Sequence, residues 1–215
     1  MLKVGSTFDY PPLTYIQNGK YVGDDIRIIE DFAKTNKLKI NFTKTYWKSL
    51  SKDLNNGMFD VAVGGITDNP ERKNLFLISL PISQFSKSAL VICEDKTKYS
   101  SLKQINVKKV RVVENIGGTN LYTAQKYITQ ANIIVVSNNS LPFSYLLEKK
   151  ADVMITDSIE AKYRHKLDGS LCDVELKDAG FPTSNRVFLF NKKNPHLKEL
   201  FDKWWIVNKH KYVTD

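Results

Sequence analysis

The sequence predicts an α/β protein built from two successive units. Segments with strand-like and helix-like patterns alternate from Leu2 to Val63, which is typical of an α/β sheet. After the charged stretch Glu94 to Lys98 the same alternation begins again, and no repeat, linker or low-complexity tract is present. The 215 residues are enough for one large domain or two small ones, so we interpret the pattern as two units.

The first unit is predicted to contain three strands, a hairpin and two helices. Asn18-Gly19 is typical of a tight hairpin turn, and apolar residues between Ile26 and Ala33 recur at helical spacing. Gly57 is expected to stop the second helix. In order, the predicted elements are a strand at Leu2 to Thr7, a hairpin at Tyr15 to Val22, a helix from Asp24 to about Asn36, a strand at Lys39 to Lys44, a helix at Ser49 to Asn56 and a strand at Phe59 to Val63.

The second half repeats this alternation of strands and helices and ends in an amphipathic helix that carries two adjacent tryptophans. Short apolar runs predict the strands, and longer segments with apolar residues on one face predict the helices. In order, the predicted elements are strands at Ser88 to Cys93 and Val110 to Val113, a helix ending near Ile128, a strand at Asn132 to Val136, a helix at Leu141 to Lys149, a strand at Asp152 to Thr156, a helix at Ser158 to Lys166, strands at Leu171 to Leu176 and Arg186 to Phe190, and a helix from Pro195 to about Lys209.

The formal charge is +9, from 32 Lys and Arg against 23 Asp and Glu. Such a balance suits nucleic acid, an anionic membrane surface or an acidic ligand. The lysines are scattered, however, and no basic run is interleaved with aromatic residues, so nucleic acid is not predicted as a partner. No window approaches the roughly 20 apolar residues that a membrane-spanning helix needs.

The two cysteines, Cys93 and Cys172, lie inside or beside apolar segments. Two buried free thiols and a single disulfide both fit this placement, and the second requires an oxidising compartment. The three histidines stand apart from each other and from the cysteines, so no metal site is predicted. No cofactor is expected.

The end of the third predicted strand collects groups suited to a carboxylate. Gly64-Gly65 follows the apolar run, where the backbone can turn sharply and a ligand can approach it closely. Arg72 can place two parallel hydrogen bonds on a carboxylate, and Thr67 can add a third. The alternative is an ordinary turn that leads into a helix with a solvated surface arginine.

A second strand end lies at Asn115 to Asn120, where a glycine pair leads into a helix. The unpaired N–H groups of a helix N-terminus favour an anion at Gly118, and Thr119 and Asn120 add side-chain donors. As a bare motif, a glycine pair is equally consistent with a simple turn.

The third strand end carries Asp157 and Glu160. Asp157 is placed either to cap the following helix or to receive an ammonium group. Glu160 lies three residues later, which fits a capping box. Its alternative role is that of a carboxyl group with a raised pKa that donates a proton.

Two further residues complete the candidate site. Trp47 follows a strand and is expected either to wall a pocket or to belong to the core, and Lys87 precedes a strand and either charges the pocket or is solvated. No Ser-His-Asp or Cys-His arrangement and no phosphate-binding Walker loop is visible, so nucleophilic catalysis is not predicted.

Taken together, these motifs resemble the family 3 extracellular solute-binding proteins of ABC importers. The resemblance covers essentially the whole chain. It rests on Asp9-Tyr10-Pro11-Pro12, Gly23, Phe59-Asp60, Gly65-Ile66-Thr67, Glu71-Arg72 and Ala151-Asp152-Val153. It implies a two-lobe periplasmic-binding-protein-like fold of type II, with a hinge of two crossing strands near Ser88 to Cys93 and Arg186 to Phe190. The first lobe is predicted to comprise residues 1–93 plus 191–215, and the second 94–190.

Within that family the chain is similar to the cyclohexadienyl dehydratase branch, whose enzymes act on prephenate and arogenate. The similarity lies in NIGGTN at 115–120, ITDSIEA at 155–161, TYWKSL at 45–50, Lys87 and both cysteines. It implies that Glu160 is the general acid that protonates the departing hydroxyl group as carbon dioxide leaves. It also implies that Arg72, Thr67, Thr119 and Asn120 hold substrate carboxylates while Trp47 and Lys87 line the pocket.

The preferred interpretation is a binding protein that closes two lobes on a small carboxylate-bearing or zwitterionic, amino-acid-like ligand. The alternative is a prephenate or arogenate dehydratase, and a sensor module also uses this fold. The resemblance implies a periplasmic location, with the leader absent from this sequence, and a membrane component of an ABC importer as partner. The residues predicted to bind the ligand are Asp9, Trp47, Gly65, Thr67, Arg72, Lys87, Gly118, Thr119, Asn120 and Asp157.

Overall fold

A computed structural model of the chain describes residues 1–167 and 169–212. Every strand and helix expected from the sequence is present, and short elements are added between them. The first part contains β1 (Leu2–Ser6), β2 (Asp9–Tyr10), β3 (Thr14–Gln17), β4 (Lys20–Val22), α1 (Asp24–Thr35), β5 (Ile40–Lys44), α2 (Leu50–Asn55), β6 (Val61–Thr67), α3 (Pro70–Leu75), β7 (Leu77–Ile78) and β8 (Ser83–Phe85).

The remaining elements continue the alternation. They are β9 (Lys87–Ile92), α4 (Leu102–Ile105), β10 (Arg111–Asn115), α5 (Thr119–Tyr127), β11 (Asn132–Val136), α6 (Leu141–Leu147), β12 (Val153–Asp157), α7 (Ser158–Leu167), β13 (Leu171–Val174), β14 (Ser184–Phe190) and α8 (Pro195–Asn208).

The chain divides into two compact units. The first contains Met1–Gln84 and the chain from Ser184 onward, and the second contains Phe85–Thr183. These limits differ from the predicted ones at 93/94 and 190/191, because β9 pairs with β12 and β13 of the second unit and β14 pairs with β6 of the first. Residues 213–215 of the predicted first lobe lie outside the described residues.

The first unit is built on a sheet in the order β5-β1-β6-β14-β7, with β8 paired to β14. The strands β5, β1 and β6 are parallel, while β14 is antiparallel to β6. One face of this sheet packs on α1 and α8 through Phe32, Phe201 and Trp205, and the other packs on α2. The separate hairpin sheet β2-β3-β4 contains the predicted Asn18-Gly19 turn, whose residues both have positive φ.

The sequence pattern predicts that the third strand ends at Gly64-Gly65, but β6 continues to Thr67. Gly64 has φ +120° and Gly65 has φ +69°, which are conformations that favour glycine. The pairing with β14 shifts register in this region, so the two glycines form an irregularity inside the strand. The strand continues because β14 pairs with it on both sides of that irregularity.

The second unit has a sheet in the order β11-β10-β12-β9-β13, with helices covering both faces. The strands β11, β10 and β12 are parallel, and β9 is antiparallel to both of its neighbours. Cys93 and Cys172 form a disulfide with an S–S distance of 2.09 Å, which decides between the two alternatives left open by the sequence. None of the helices within the described ranges has the length and apolar character needed to cross a bilayer.

Candidate functional site

In the first unit, Arg72 and Thr67 lie together as the sequence predicts. The short helix α3 begins after Asn69, whose side chain accepts a hydrogen bond from the backbone N–H of Arg72 at 2.8 Å. The side chain of Arg72 folds back so that Nη1 donates to the carbonyl oxygen of Thr67 at 2.6 Å. Arg72 is only 8% exposed, so its guanidinium is not a solvated surface group. The alternative interpretation of Arg72 is therefore wrong.

A buried ion pair beside this strand was not predicted. Oδ2 of Asp25 accepts hydrogen bonds from the backbone N–H groups of Gly64 and Gly65, each at 3.0 Å. Oδ1 of the same carboxylate lies 3.5 Å from Nη1 of Arg186, and both side chains are buried. Burial raises the pKa of Asp25, while Arg186 and the two N–H groups oppose that rise. The available sequence signal was an arginine at the start of an otherwise apolar strand.

Of the remaining predicted residues of the first unit, Trp47 and Gly65 lie against the ring of Tyr10. Tyr10 and Trp47 contact each other edge to face, with ring centroids 5.8 Å apart. A Cβ atom on Gly65 would lie 2.5 Å from Cε1 of Tyr10, so this glycine makes room for the tyrosine ring. Asp9 is half-buried in β2, opposite Tyr15. Trp47 is half-buried, and its role toward a ligand stays a prediction.

In the second unit, four predicted residues meet around one ammonium group. Nζ of Lys87 donates to Oδ1 of Asp157 at 2.6 Å, to Oγ1 of Thr119 at 3.0 Å and to Oδ1 of Asn120. The register of β9 and β12 places Lys87 directly opposite Asp157, and the first turn of α5 supplies the other two acceptors. Lys87 is buried, so its solvated alternative is wrong. The ammonium that Asp157 receives in this structure is supplied by the chain itself.

A chain of hydrogen bonds connects this cluster to Glu160. Nδ2 of Asn120 donates to Oγ1 of Thr156 at 3.2 Å, and that hydroxyl donates to Oε2 of Glu160 at 2.6 Å. The other oxygen of Glu160 accepts from Nδ2 of Asn139 at 3.1 Å. Both carboxyl oxygens are thus held by side chains, and Glu160 is fully buried.

The environment of Glu160 favours a proton on its carboxyl group. The pKa of Glu160 is raised from 4.5 to about 7, chiefly by burial, and the charge of Asp157 acts in the same direction. The hydrogen bonds from Thr156 and Asn139 and the charge of Arg164 act in the opposite direction. A group with this pKa exchanges a proton near neutral pH, which a general acid requires.

Three buried residues of this region were missed by sequence reasoning. Thr156 and Asn139 hold Glu160, and Glu114 lies fully buried on β10. Glu114 directly follows the apolar pair Val112-Val113, which was a usable signal, whereas nothing distinguishes Asn139 from its neighbour Asn138 in the sequence. These residues add a layer of buried polar groups next to the predicted site residues of the second unit.

Gly118 is the residue before the first turn of α5, as expected for a helix start. A Cβ atom there would make only ordinary contacts, so the backbone does not require glycine for space. Its contact with an anion stays a prediction. Within residues 1–167 and 169–212, no group of three or more His, Cys, Asp or Glu side chains is arranged to hold a metal ion.

The two α/β units define a protein of the two-lobe type II periplasmic-binding class, the fold of its structural neighbours. Residues 2–210 match the bacterial extracellular solute-binding proteins, family 3, and the chain belongs to that family. The family and fold predicted from the strand-end motifs are thereby confirmed.

Several known proteins are similar to this chain. The cyclohexadienyl dehydratase of Pseudomonas aeruginosa is 30% identical over 205 residues, which make up 95% of this chain and 76% of the relative. A probable histidine-binding protein of Campylobacter jejuni is 27% identical over 165 residues, 75% of this chain and 61% of that protein. The crystal structure of an ancestral amino acid-binding protein, a precursor of cyclohexadienyl dehydratase, matches with a TM-score of 0.90 at 30% identity, covering 97% of this chain and 89% of the other.

Proposed function

We propose that the protein is a solute-binding protein for a small carboxylate-bearing ligand, either zwitterionic and amino-acid-like or purely anionic. The observation that carries this proposal is the buried guanidinium of Arg72, which its 2.6 Å hydrogen bond to Thr67 O holds at the end of β6. A guanidinium that is already fixed in place loses little entropy on meeting a carboxylate, and its planar fork matches that group.

The charges of the second unit suit an anionic group as well. Asp157 is paired with Lys87, so these two side chains together carry no net charge. The N-terminus of α5 adds the positive end of a helix dipole beside them. Because Asp157 already meets an ammonium, an amino group on the ligand is not required. The relatives described as amino acid-binding and histidine-binding support the zwitterionic class.

We extend the proposal to location and partner. The protein would act outside the cytoplasmic membrane and pass its ligand to the membrane component of an ABC importer. The description of the family as extracellular solute-binding proteins supports the location.

Calorimetric titration with two matched panels tests the proposal. The first panel is the set of L-amino acids, and the second is the set of corresponding 2-oxo acids, which lack only the amino group. Binding from either panel supports a carboxylate receptor, and the preferred panel shows whether the amino group matters. Saturation by neither panel would refute the proposal.

Variants then locate the carboxylate contact. Arg72→Gln should weaken binding about 100-fold, which corresponds to roughly 3 kcal/mol for a buried charge-assisted pair. Arg27→Gln is the matched control because Arg27 is an exposed residue of α1. Equal affinities of the two variants would show that Arg72 does not hold the ligand.

One observation favours a second candidate, a prephenate or arogenate dehydratase with Glu160 as general acid. Glu160 is buried, is hydrogen-bonded through both oxygens and has a pKa of about 7. Binding remains the first proposal because the buried guanidinium of Arg72 suffices for it. Turnover of prephenate or arogenate that disappears in Glu160→Gln would establish the enzyme, and no turnover by the unmutated chain would exclude it for those substrates.

A further inference from the structure

Among the residues that the structure describes, Glu114 is the one fully buried glutamate that the proposed function does not use. It lies on β10, one residue before Asn115, and is 0% exposed. Its Oε1 accepts a hydrogen bond from the backbone N–H of Ile155 on the neighbouring strand β12 at 2.7 Å. Its Oε2 has no hydrogen-bond partner among the residues that the structure describes.

This bond connects the two strands beyond the residues at which they pair directly. The strands β10 and β12 pair in parallel at Val112 and Val153, and continuing that register would set Glu114 opposite Ile155. At that position the carboxyl group of Glu114 receives the N–H of Ile155. Glu114 therefore joins the two strands where their direct ladder stops.

Ile155, whose N–H group donates to Glu114, directly precedes Thr156 and Asp157, and these two residues organise the cluster around Lys87. Thr156 donates to Glu160, and Asp157 pairs with Lys87. A displacement of Ile155 would move both of these residues through the backbone. The charged groups that act on Glu114 are Lys87, Asp157 and Glu160.

We propose that Glu114 is a positioning residue of the Lys87 cluster, whose carboxyl group anchors the end of β12 and so sets the placement of Thr156 and Asp157. The inference deepens the proposed function, on which its relevance to a ligand rests. Glu114 acts through these residues and needs no contact with the ligand itself.

The protonation of Glu114 fits this role. Burial raises its pKa well above the usual value, the charges of Glu160 and Asp157 raise it further, and Lys87 and the N–H of Ile155 oppose the rise. A neutral carboxyl group still offers one oxygen to Ile155. Glutamine offers the same oxygen, so the Glu114→Gln variant keeps the anchor, whereas Glu114→Met removes the anchor and keeps a similar volume.

The experiment is a carboxyl-carbon NMR titration of Glu160 in the unmutated chain and in the two Glu114 variants. It needs no ligand, so it tests the inference even if the proposed function fails. Thr156 lowers the pKa of Glu160 through its hydrogen bond. Weakening that bond in Glu114→Met should raise the midpoint of Glu160 by about one pH unit. Glu114→Gln should leave it unchanged, and Glu175→Met, at an exposed position, is the control.

The outcomes separate positioning from mere stability. A midpoint raised in the methionine variant and restored in the glutamine variant supports the proposal. A methionine variant that melts at a lower temperature with an unmoved midpoint overturns it, as does an equal rise in both variants. Should the methionine variant not fold, the glutamine variant decides, because an unchanged midpoint supports the anchor and a changed one overturns it.

Discussion

The disulfide of the second unit gives a stability prediction with a defined magnitude. Cys93 and Cys172 connect the end of β9 to β13 across a sequence separation of 79 residues. In the loop-closure model, a bridge of that span restricts the unfolded chain by an amount worth about 4.5 kcal/mol at 25 °C. We therefore expect replacement of both cysteines by alanine to lower the free energy of unfolding by about 4 kcal/mol.

Urea unfolding with two probes measures this loss and assigns it to a unit. The three tryptophans, Trp47, Trp204 and Trp205, all lie in the first unit, so their fluorescence follows that unit. Far-UV circular dichroism follows both units. Because the bridge lies in the second unit, we expect the loss to show mainly in the circular dichroism transition.

The unmutated chain in the presence of a reductant is the matched control. It keeps both sulfur atoms and loses only the bond, so it separates loop closure from the packing of Cys172, which is buried. It should lose about as much stability as the double variant, and the variant itself should not respond to the reductant. The reasoning is refuted if the loss is below about 1 kcal/mol, or if two thiols react when the unreduced chain is unfolded.

Three further predictions concern buried charges. Lys87→Met should cost about 3–5 kcal/mol of stability in urea because it removes the ammonium group that is paired with the buried carboxylate of Asp157. Adding Asp157→Asn should recover most of the loss, and a double variant no better than the single one contradicts this. The pKa of Glu160 is raised from 4.5 to about 7, so its contribution to stability is full below pH 4.5 and should decline by up to about 3 kcal/mol as the pH rises through 7. Urea denaturation between pH 4.5 and 7 should show a smaller decline in Glu160→Gln. Arg186→Met should cost about 3 kcal/mol at pH 7 and less at pH 4.5, since Asp25, with its raised pKa, can then take up a proton; a loss independent of pH argues against this pairing.

The polar strand ends could be predicted because each carries a local signal. A glycine pair before a helix marks Thr119 and Asn120, and Asn69-Pro70 marks the helix that places Arg72. Helix and strand periodicities reflect which face is buried, so the order of elements also followed from the sequence. Lys87 was a candidate because it directly precedes a predicted strand, although its three hydrogen-bond acceptors were not predicted.

The buried pairings could not be predicted, because they depend on contacts between distant segments. Asp25 resembles any acidic residue in the first turn of a helix, and its partner Arg186 lies on a strand near the other end of the chain. Gly64-Gly65 looked like a strand end, because the pairing of β14 across it is not visible from local pattern. The anchoring of β12 by Glu114 likewise depends on the neighbouring strand.

The hydrogen bonds between Lys87 and Glu160 all run in one direction. Lys87 donates to Asn120, Asn120 donates to Thr156, and Thr156 donates to Glu160. The amide of Asn120 is oriented by the ammonium, so the hydroxyl of Thr156 is the only member that could turn round. A proton placed on Oε2 of Glu160 and aimed at that hydroxyl would force the turn, because an O–H group cannot donate to an oxygen that donates back. The protonation state of Glu160 and the direction of its hydrogen bond with Thr156 are therefore coupled, while the bonds from Lys87 to Asn120 and from Asn120 to Thr156 keep their direction.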